Sequence, residues 1–206
     1  MGLRETKKAQ TRQAISDTAT RLFLDRGFEP VTIAEIAAAA QVAKMTVTNY
    51  FPRKEDLALD HHEVFAASLA RTVRDRRRGD SALAALRREH LAAVGRRDAV
   101  AGFSGPEFAE LIAGSPTLGA RLRELHEQRE AALAEVLAAE TGARDDTPVV
   151  VAAVLGAVHR TLFHQVLDLT RAGTGADETA AVVARSARRA FALLKPSLGE
   201  YAVRVD

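Results

Sequence analysis

The chain has 206 residues, no cysteine and a net charge of +2, which divides into +4 over residues 1–54 and −2 over the rest. Without cysteine there are no disulfides or thiolate metal sites, which fits a cytoplasmic protein, and a basic end suits a polyanionic partner. No stretch approaches the roughly 20 apolar residues of a membrane span, and the N-terminus lacks the apolar segment of a signal peptide, so we expect no membrane contact.

Helix-forming residues dominate and no window alternates with period two, which predicts an all-α fold of about nine helices. The first helix is expected over Thr11–Arg26. Thr32 lies three residues before Glu35, the spacing of a capping box, and predicts the start of a second helix. A third helix is expected over about 43–50, after which Pro52 breaks the chain.

The rest of the chain reads as a series of longer helices. A long helix is expected from about Lys54 to Arg78, with an apolar stripe along one face. Later helices are expected at about 82–96, 107–113, 116–140, 148–171 and 177–195. Pro196 is expected to end the last of them and to leave a frayed tail.

The second and third helices have the spacing of a helix-turn-helix, in which the second member of the pair enters the DNA major groove. Lys, Asn and Thr can all hydrogen-bond base edges, and such residues occur on the third helix at Lys44, Thr46, Thr48 and Asn49. Phosphate contacts are expected around that helix. The candidates for these are Thr32, Tyr50 and Lys54, with Arg4, Lys7 and Lys8 as a flexible arm before the first helix.

Residues 12–57 resemble the N-terminal domain of the TetR family of bacterial transcriptional regulators. The family's run is roughly T-x-x-x-I-A-x-x-A-G-V-S-x-G-T-L-Y-x-H/Y-F-x-x-K. It is matched here from Thr32 through Ile36, Ala37, Ala40, Gln41, Val42, Ala43, Met45, Thr46, Val47, Thr48, Tyr50 and Phe51 to Lys54. The resemblance implies that Thr32, Tyr50 and Lys54 contact phosphates, and that Lys44, Met45, Thr46, Thr48 and Asn49 face bases.

Three positions depart from the family's pattern. Gln41 replaces the turn glycine, so a left-handed residue there would carry roughly 1–2 kcal/mol of strain. Ala43 replaces the serine N-cap, which forgoes about 1 kcal/mol. Thr48 replaces the first tyrosine and shortens one side chain over the groove.

The resemblance also implies two domains with different functions. Residues 1–53 would form the helix-turn-helix domain, and residues 54–206 a helical ligand-binding and dimerisation domain. A homodimer through the helices at about 148–171 and 177–195 would bind a palindromic operator. A small-molecule effector would release the homodimer from the operator, so the chain would most simply be a repressor. The residues allow this, since 149–169 is apolar nearly all round and 177–195 is rich in alanine.

Several polar residues lie on apolar stripes of the predicted body helices, where they could orient a ligand in a cavity. These are His61, His90, Arg129 and His159, and Arg129 is a candidate anchor for an anionic ligand. The candidate apolar walls are Phe65, Phe103, Phe108, Leu111, Ile112, Leu122, Leu162 and Phe163. Each polar residue can equally be a satisfied core residue or reach water.

Other classes of protein fit less well. The six histidines form no H-E-x-x-H motif or i,i+4 pair, and there is no nucleophile elbow or phosphate loop, so we expect neither an enzyme nor a cofactor. Two alternatives stay open: a helical interaction protein without specific DNA binding, and a metal-responsive regulator.

Overall fold

The computed structural model describes residues 2–205, and it describes only the backbone of Leu3 and Arg4. Over these residues the chain forms ten α-helices, one 3-10 turn and no β-strand, which confirms the all-α prediction. The helices are α1 (Leu3–Arg26), α2 (Ile33–Ala39), α3 (Lys44–Tyr50), α4 (Glu55–Ala58), α5 (His62–Arg74), α6 (Ala82–Arg96), α7 (Pro106–Gly114), α8 (Pro116–Thr141), α9 (Thr147–Arg171) and α10 (Ala176–Leu198), and the 3-10 turn is Ala99–Ala101.

The chain divides into two compact units. The first contains the chain up to Glu63 together with Glu110–Leu122, and the second contains Val64–Ala109 and the chain from Arg123 onward. The functional division expected between residues 53 and 54 is a different boundary from this structural one, and it stays a prediction.

The first unit is built on an apolar core that holds the helix-turn-helix pair in place. Phe23 and Phe28 lie on either side of the glycine that ends α1, with ring centroids 5.0 Å apart. Ile36 from α2 and Val47 from α3 are both completely buried. These contacts fix one face of each short helix, which leaves the opposite face of α3 open.

The core of the second unit lies where α6, α9 and α10 pack together. By length and composition α9 could span a membrane, contrary to the expectation from the sequence. However, 44% of its most apolar stretch is buried within the protein. Val151 and Leu155 lie in the core, whereas Val150 and Val154 remain exposed. The helix is therefore apolar on two faces, of which this unit covers one.

The helix predicted from Lys54 to Arg78 is wrong, because the structure breaks it between α4 and α5. The carbonyl of Asp60 accepts a hydrogen bond from Arg12 (2.9 Å), and its carboxylate accepts one from Ser16 (2.7 Å). Both donors lie on α1, far away in sequence. The break therefore results from tertiary contacts that override local helix propensity.

The ends of the chain also differ from prediction. α1 begins at Leu3, so Arg4, Lys7 and Lys8 lie on a helix rather than before it. At the other end α10 continues through Pro196 to Leu198. A proline within the last turn removes only one hydrogen bond of the helix.

The C-terminal tail is held in place rather than frayed. Val203 forms an antiparallel bridge with Ser81. The backbone N–H of Arg204 donates to the carbonyl of Asp80 (3.0 Å), and the N–H of Gly79 donates to the carbonyl of Arg204 (2.9 Å). These bonds account for the ordered path of the tail across the start of α6.

Candidate DNA-reading helix and effector cavity

The outer face of α3 carries the side chains predicted to read bases. Lys44, Met45 and Asn49 are exposed, Met45 to 69%. Thr46 and Thr48 are half-buried. A short helix with this arrangement can place several hydrogen-bonding groups against base edges at once. That these five residues contact bases stays a prediction.

The turn between α2 and α3 confirms the expected left-handed residue, since Gln41 has a φ of 56°. The N–H of Gln41 donates to the carbonyl of Ala38 (3.1 Å), and the N–H of Val42 donates to that of Ala37 (2.9 Å). This pair of bonds is the Schellman motif that ends helices, with glutamine where glycine is usual. The chain keeps the turn geometry without the residue that adopts it most readily.

The start of α3 also lacks its usual local stabilisation. Ala43 is the N-cap in an extended conformation and makes no side-chain cap hydrogen bond. Within α3, the hydroxyl of Thr48 donates to the carbonyl of Met45 (3.1 Å). That bond occupies the hydroxyl proton, so Thr48 would contact DNA through its oxygen lone pairs or its methyl group.

Thr32 forms the predicted capping box at the start of α2. Its hydroxyl oxygen accepts the N–H of Glu35 (3.2 Å), and the Glu35 carboxylate accepts the N–H of Thr32 (2.8 Å). Hydrogen bonds from Arg26 first, and then from Thr32, lower the pKa of Glu35 to about 2. Thr32 itself is exposed, so its position remains compatible with the predicted phosphate contact.

Lys54 has a structural role that the sequence did not reveal. Its Nζ donates to the carbonyls of Phe28 (2.6 Å) and Glu29 (3.1 Å) and lies 4.2 Å from the centroid of the Phe28 ring. Burial lowers the pKa of Lys54, although nearby carboxylates oppose the effect. An ammonium has three donors, so at most one remains for the predicted phosphate contact.

The remaining predicted DNA contacts lie on α1 and at the end of α3. Tyr50 is the last residue of α3 and is half-buried. Lys7 and Lys8 are exposed on the first turns of α1. The side chain of Arg4 lies outside the described part of the chain. DNA contact by these four residues stays a prediction.

The second unit contains a cavity of about 350 Å³. His90, Arg129 and His159 all line it, so three of the four polar residues picked out on apolar stripes are brought together. Ser68 also lines it. Ser68 shares the buried face of α5 with Phe65 and Leu69, and a polar residue at such a position is the signal that could have found it in the sequence.

Arg129 is a buried charged group of this cavity. It is only 4% exposed, and its Nε donates to the hydroxyl of Ser68 (2.7 Å). Its guanidinium carbon lies 4.5 Å from the centroid of the Phe65 ring. Burial lowers the pKa of Arg129 to about 9, so the side chain stays ionised at neutral pH.

The two histidines of the cavity are buried. Their ring centroids are 5.0 Å apart, and the Nε2 atom of each is buried without a hydrogen-bond partner among the described residues. Burial, and secondarily the charge of Arg129, lowers the pKa of His90 to about 4. The same two causes lower the pKa of His159 well below its usual value.

An aromatic cluster lies beside Arg129. Phe65 packs edge-to-face against Phe163 and against His126, at centroid distances of 5.6 Å and 5.1 Å. The sequence had predicted both phenylalanines as apolar walls but had considered His126 only as a possible metal ligand or acid–base group. His126 falls between Leu122 and Arg129 at helical spacing, which is the signal for its inward position.

The other predicted ligand-binding residues are not gathered at this cavity. His61 lies in the break between α4 and α5 with its side chain 75% exposed. Phe103 packs against the core of the second unit. Phe108 is half-buried in α7. Ile112 and Leu122 are buried in the first unit. Ligand contact by any of the twelve predicted residues stays a prediction.

Several large apolar side chains are exposed on α9 and α10. Val149 is 60%, Val150 55%, Val154 38% and Leu193 81% exposed. These two helices are the ones predicted to form a dimer interface. Several exposed apolar side chains on two helices that pack against each other are typical of a face that another protein covers.

Among the described side chains, no group of three or more His, Asp or Glu residues is arranged to hold a metal ion. The open alternative of a metal-responsive regulator therefore has no candidate ligand set in this part of the chain.

The comparisons with known proteins agree with this arrangement. Residues 15–60 match the family described as bacterial regulatory proteins, tetR family. The HTH-type transcriptional regulator TcmR of Streptomyces glaucescens is 31% identical over 172 residues, which cover 80% of this chain and 76% of that protein.

Two solved structures are similar in fold. A tetR-family transcriptional regulator from Streptomyces coelicolor has a TM-score of 0.53 at 23% identity, covering 98% of this chain and 85% of its own. NalD, the secondary repressor of the MexAB-OprM multidrug efflux pump in Pseudomonas aeruginosa, has a TM-score of 0.52 at 19% identity. The match covers 90% of this chain and 97% of the NalD chain. With the match to TcmR, these findings establish that the chain belongs to the tetR family of bacterial regulatory proteins and is a transcriptional regulator with a helix-turn-helix DNA-binding domain.

Proposed function

We propose that this chain is a ligand-responsive repressor that binds a palindromic operator as a homodimer and releases it when a small molecule occupies the cavity of the second unit. The proposed DNA binding is supported by the open face of α3, where Lys44, Met45 and Asn49 are exposed, while Val47 on the opposite face is buried. A helix fixed from behind and polar in front is what direct readout requires.

The homodimer is supported by the apolar side chains that α9 and α10 expose. Leu193 and Val149 are each more than half exposed, and covering such residues is favourable by about 25 cal/mol per Å² of apolar surface. A two-fold axis through these helices would give two copies of α3. Two-fold symmetry of the protein then matches two-fold symmetry of the operator.

The effector response is supported by the course of α8. This helix carries Arg129 at the cavity and begins at Pro116, beside Ser115. Within the first unit the carboxylate of Glu29, in the link between α1 and α2, accepts hydrogen bonds from Ser115 (2.7 Å) and Thr117 (3.3 Å). A ligand that moves α8 would act on the helix-turn-helix through these bonds, provided that it binds the two states with different affinity.

The test of DNA binding uses a duplex that covers the region flanking the chain's own gene. Wild-type protein is expected to sediment as a dimer and to bind this duplex with an affinity that falls steeply with salt. The double variant Lys44→Ala plus Tyr50→Ala is expected to lose specific binding, measured by fluorescence anisotropy, while its far-UV circular dichroism stays helical.

A control variant separates loss of specific contacts from loss of positive charge. Arg87 is exposed on α6, and Arg87→Ala removes one positive charge there, so operator affinity is expected to stay within about twofold. If the double variant binds the operator as tightly as wild type, α3 is not the reading helix. If wild type binds random duplex equally well, the alternative of a helical interaction protein without specific DNA binding is favoured.

A further inference from the structure

The cavity of the second unit contains a buried positive charge without a negative partner. Arg129 forms no ion pair with any carboxylate in the described part of the chain, and of its five N–H donors only Nε is hydrogen-bonded, to Ser68. The adjacent Glu130 is engaged elsewhere, because its carboxylate accepts Nη1 of Arg160 (2.5 Å). A buried charge of this kind is costly unless something pairs with it.

Two arginines at the rim of the cavity are paired with carboxylates. Arg88 is bonded to Asp80 (2.6 Å), and Arg96 is bonded to Glu89 (2.9 Å). The side chains of these pairs are more exposed than Arg129. Arg129 is therefore a buried positive charge of the cavity that no carboxylate among the described residues pairs with.

Two histidine nitrogens of the cavity also lack a partner. Nε2 of His90 and Nε2 of His159 are buried without a hydrogen bond within residues 2–205. A neutral imidazole nitrogen can donate or accept according to its tautomer. Buried polar groups in folded proteins nearly always have a partner, and a molecule in the cavity could supply one to these two nitrogens.

Part of the wall is apolar. Leu69, Leu86, Ala93, Val100 and Ala101 form this part, whereas charged side chains line most of the remainder. The volume of about 350 Å³ lies at the lower end of the range of small-molecule sites. This combination favours a compact ligand with an apolar body and one charged end.

We propose that the effector is a small organic monoanion, a carboxylate or an ionised phenol or enol, whose oxyanion binds the guanidinium of Arg129. A further polar group of the ligand bonds Nε2 of His90 or His159, and its apolar body packs against Leu69 and Leu86. A planar oxyanion accepts two N–H bonds from one guanidinium, which gives both strength and orientation. The assignment rests on the proposed function, since it identifies the ligand class of the proposed effector site.

The test uses matched pairs of probes that differ in charge but hardly in shape. Binding of 2-naphthoate and 2-naphthamide, and of octanoate and octanamide, is measured by isothermal titration calorimetry on the full chain at pH 7.5 without DNA. At least one anion is expected to bind with one site per chain and at least tenfold more tightly than its own amide, which is the scale of a charge-assisted hydrogen bond.

Two variants locate the effect. Arg129→Met is expected to abolish the preference for the anion over the amide. Arg88→Met, which removes a paired charge from the rim, is expected to leave anion binding within about twofold. Equal binding of anion and amide, unchanged anion binding by Arg129→Met, or failure of both anions to bind at millimolar concentration would overturn the proposal.

The outcome is separable from that of the proposed function, because these titrations contain no operator. If an anion binds through Arg129 but the protein–operator complex is unaffected by it, the site stands and the inducer mechanism fails. If operator binding fails altogether, the binding preference for the anion can still be measured.

Discussion

Replacing Arg129 by methionine should stabilise the protein in the absence of its ligand. Burial lowers the pKa of Arg129 from 12.5 to about 9, which corresponds to about 5 kcal/mol against the charged form in the folded state. The side chain is charged at pH 7 in both the folded and the unfolded chain, so this penalty applies in full at neutral pH.

Two interactions offset the penalty. The stacking of the guanidinium on Phe65 contributes about 2 kcal/mol when desolvated, and the hydrogen bond to Ser68 contributes about 1.5–3 kcal/mol. Methionine has a similar length and retains the apolar contacts. The offsets total about 3.5–5 kcal/mol, so the expected net effect of Arg129→Met is a gain of up to about 1.5 kcal/mol in the free energy of unfolding. The sign agrees with that found when buried ions are replaced by apolar residues.

The measurement is urea denaturation of ligand-free protein at one fixed chain concentration, because the proposed dimerisation would make stability depend on concentration. Arg121→Met is the matched control. Arg121 lies on the same helix and is similarly buried, but it donates two hydrogen bonds to the buried carboxylate of Asp56 (2.8 Å and 3.0 Å). Removing it leaves that carboxylate unpaired and should cost about 3–5 kcal/mol.

Opposite signs for the two variants are therefore expected. If Arg129→Met destabilises the ligand-free protein by 1 kcal/mol or more, Arg129 is a satisfied structural residue. Arg129 would then need no partner from a ligand, whatever Arg121→Met does.

Two further predictions concern the turn and the histidines. Gln41→Gly should raise the free energy of unfolding by about 0.5–1 kcal/mol, because relief of roughly 1–2 kcal/mol of left-handed strain exceeds the cost of the entropy that glycine adds to the unfolded chain. Gln41→Ala is the control and should show no gain. Equal stability of the two variants would contradict backbone strain at this position. In the folded state the pKa values of His90, about 4, and His126, about 3, lie below the unfolded value of 6.5. These histidines therefore do not reduce the free energy of unfolding above pH 6.5, and they reduce it increasingly as the pH drops toward 4. His90 alone should lower the free energy of unfolding by about 2 kcal/mol at pH 5. Urea denaturation at pH 7 and pH 5 should therefore show a smaller loss of stability in His90→Gln than in wild type. Equal wild-type stability at the two pH values would show that these imidazoles are not buried in the neutral form.

The helix-turn-helix was predictable because its determinants are local. Thr32 and Glu35 lie within one turn of each other, and their reciprocal bonds depend on that spacing alone. The left-handed residue at position 41 likewise follows from the position of the turn between two helices. In contrast, the break after α4 depends on Arg12 and Ser16, which bind Asp60 from more than 40 positions away.

The same break explains which cavity residues the sequence could identify. His90, Arg129 and His159 were chosen by spacing within helices that proved continuous, and all three line the cavity. His61 was chosen by its spacing between Leu57 and Phe65 on a helix assumed to be unbroken. Because the helix ends after α4, the helical spacing from Leu57 no longer determines the direction of His61, and His61 faces solvent. Spacing can predict a side chain's direction only as far as the helix continues.

A second buried arginine shows what a satisfied cation looks like in this fold. Arg76 also lines the cavity and is 3% exposed. Its guanidinium donates to both carboxylate oxygens of Glu140 (2.9 Å and 2.5 Å) and to the carbonyls of Asp80 and Ala202. The fold can thus surround a buried arginine completely when the arginine holds the tail and helices together.

Arg129 lies in the same unit at nearly the same burial, yet one serine hydroxyl is its hydrogen-bond acceptor among the described residues. The difference therefore does not reflect a general inability of this chain to place acceptors. Natural sequences depart from complete satisfaction of polar groups mainly at functional sites. The proposed ligand would supply the acceptor that Arg129 lacks among the described residues. Only the difference between the affinities of that ligand for the two states could shift the regulator between the proposed DNA-bound and released states.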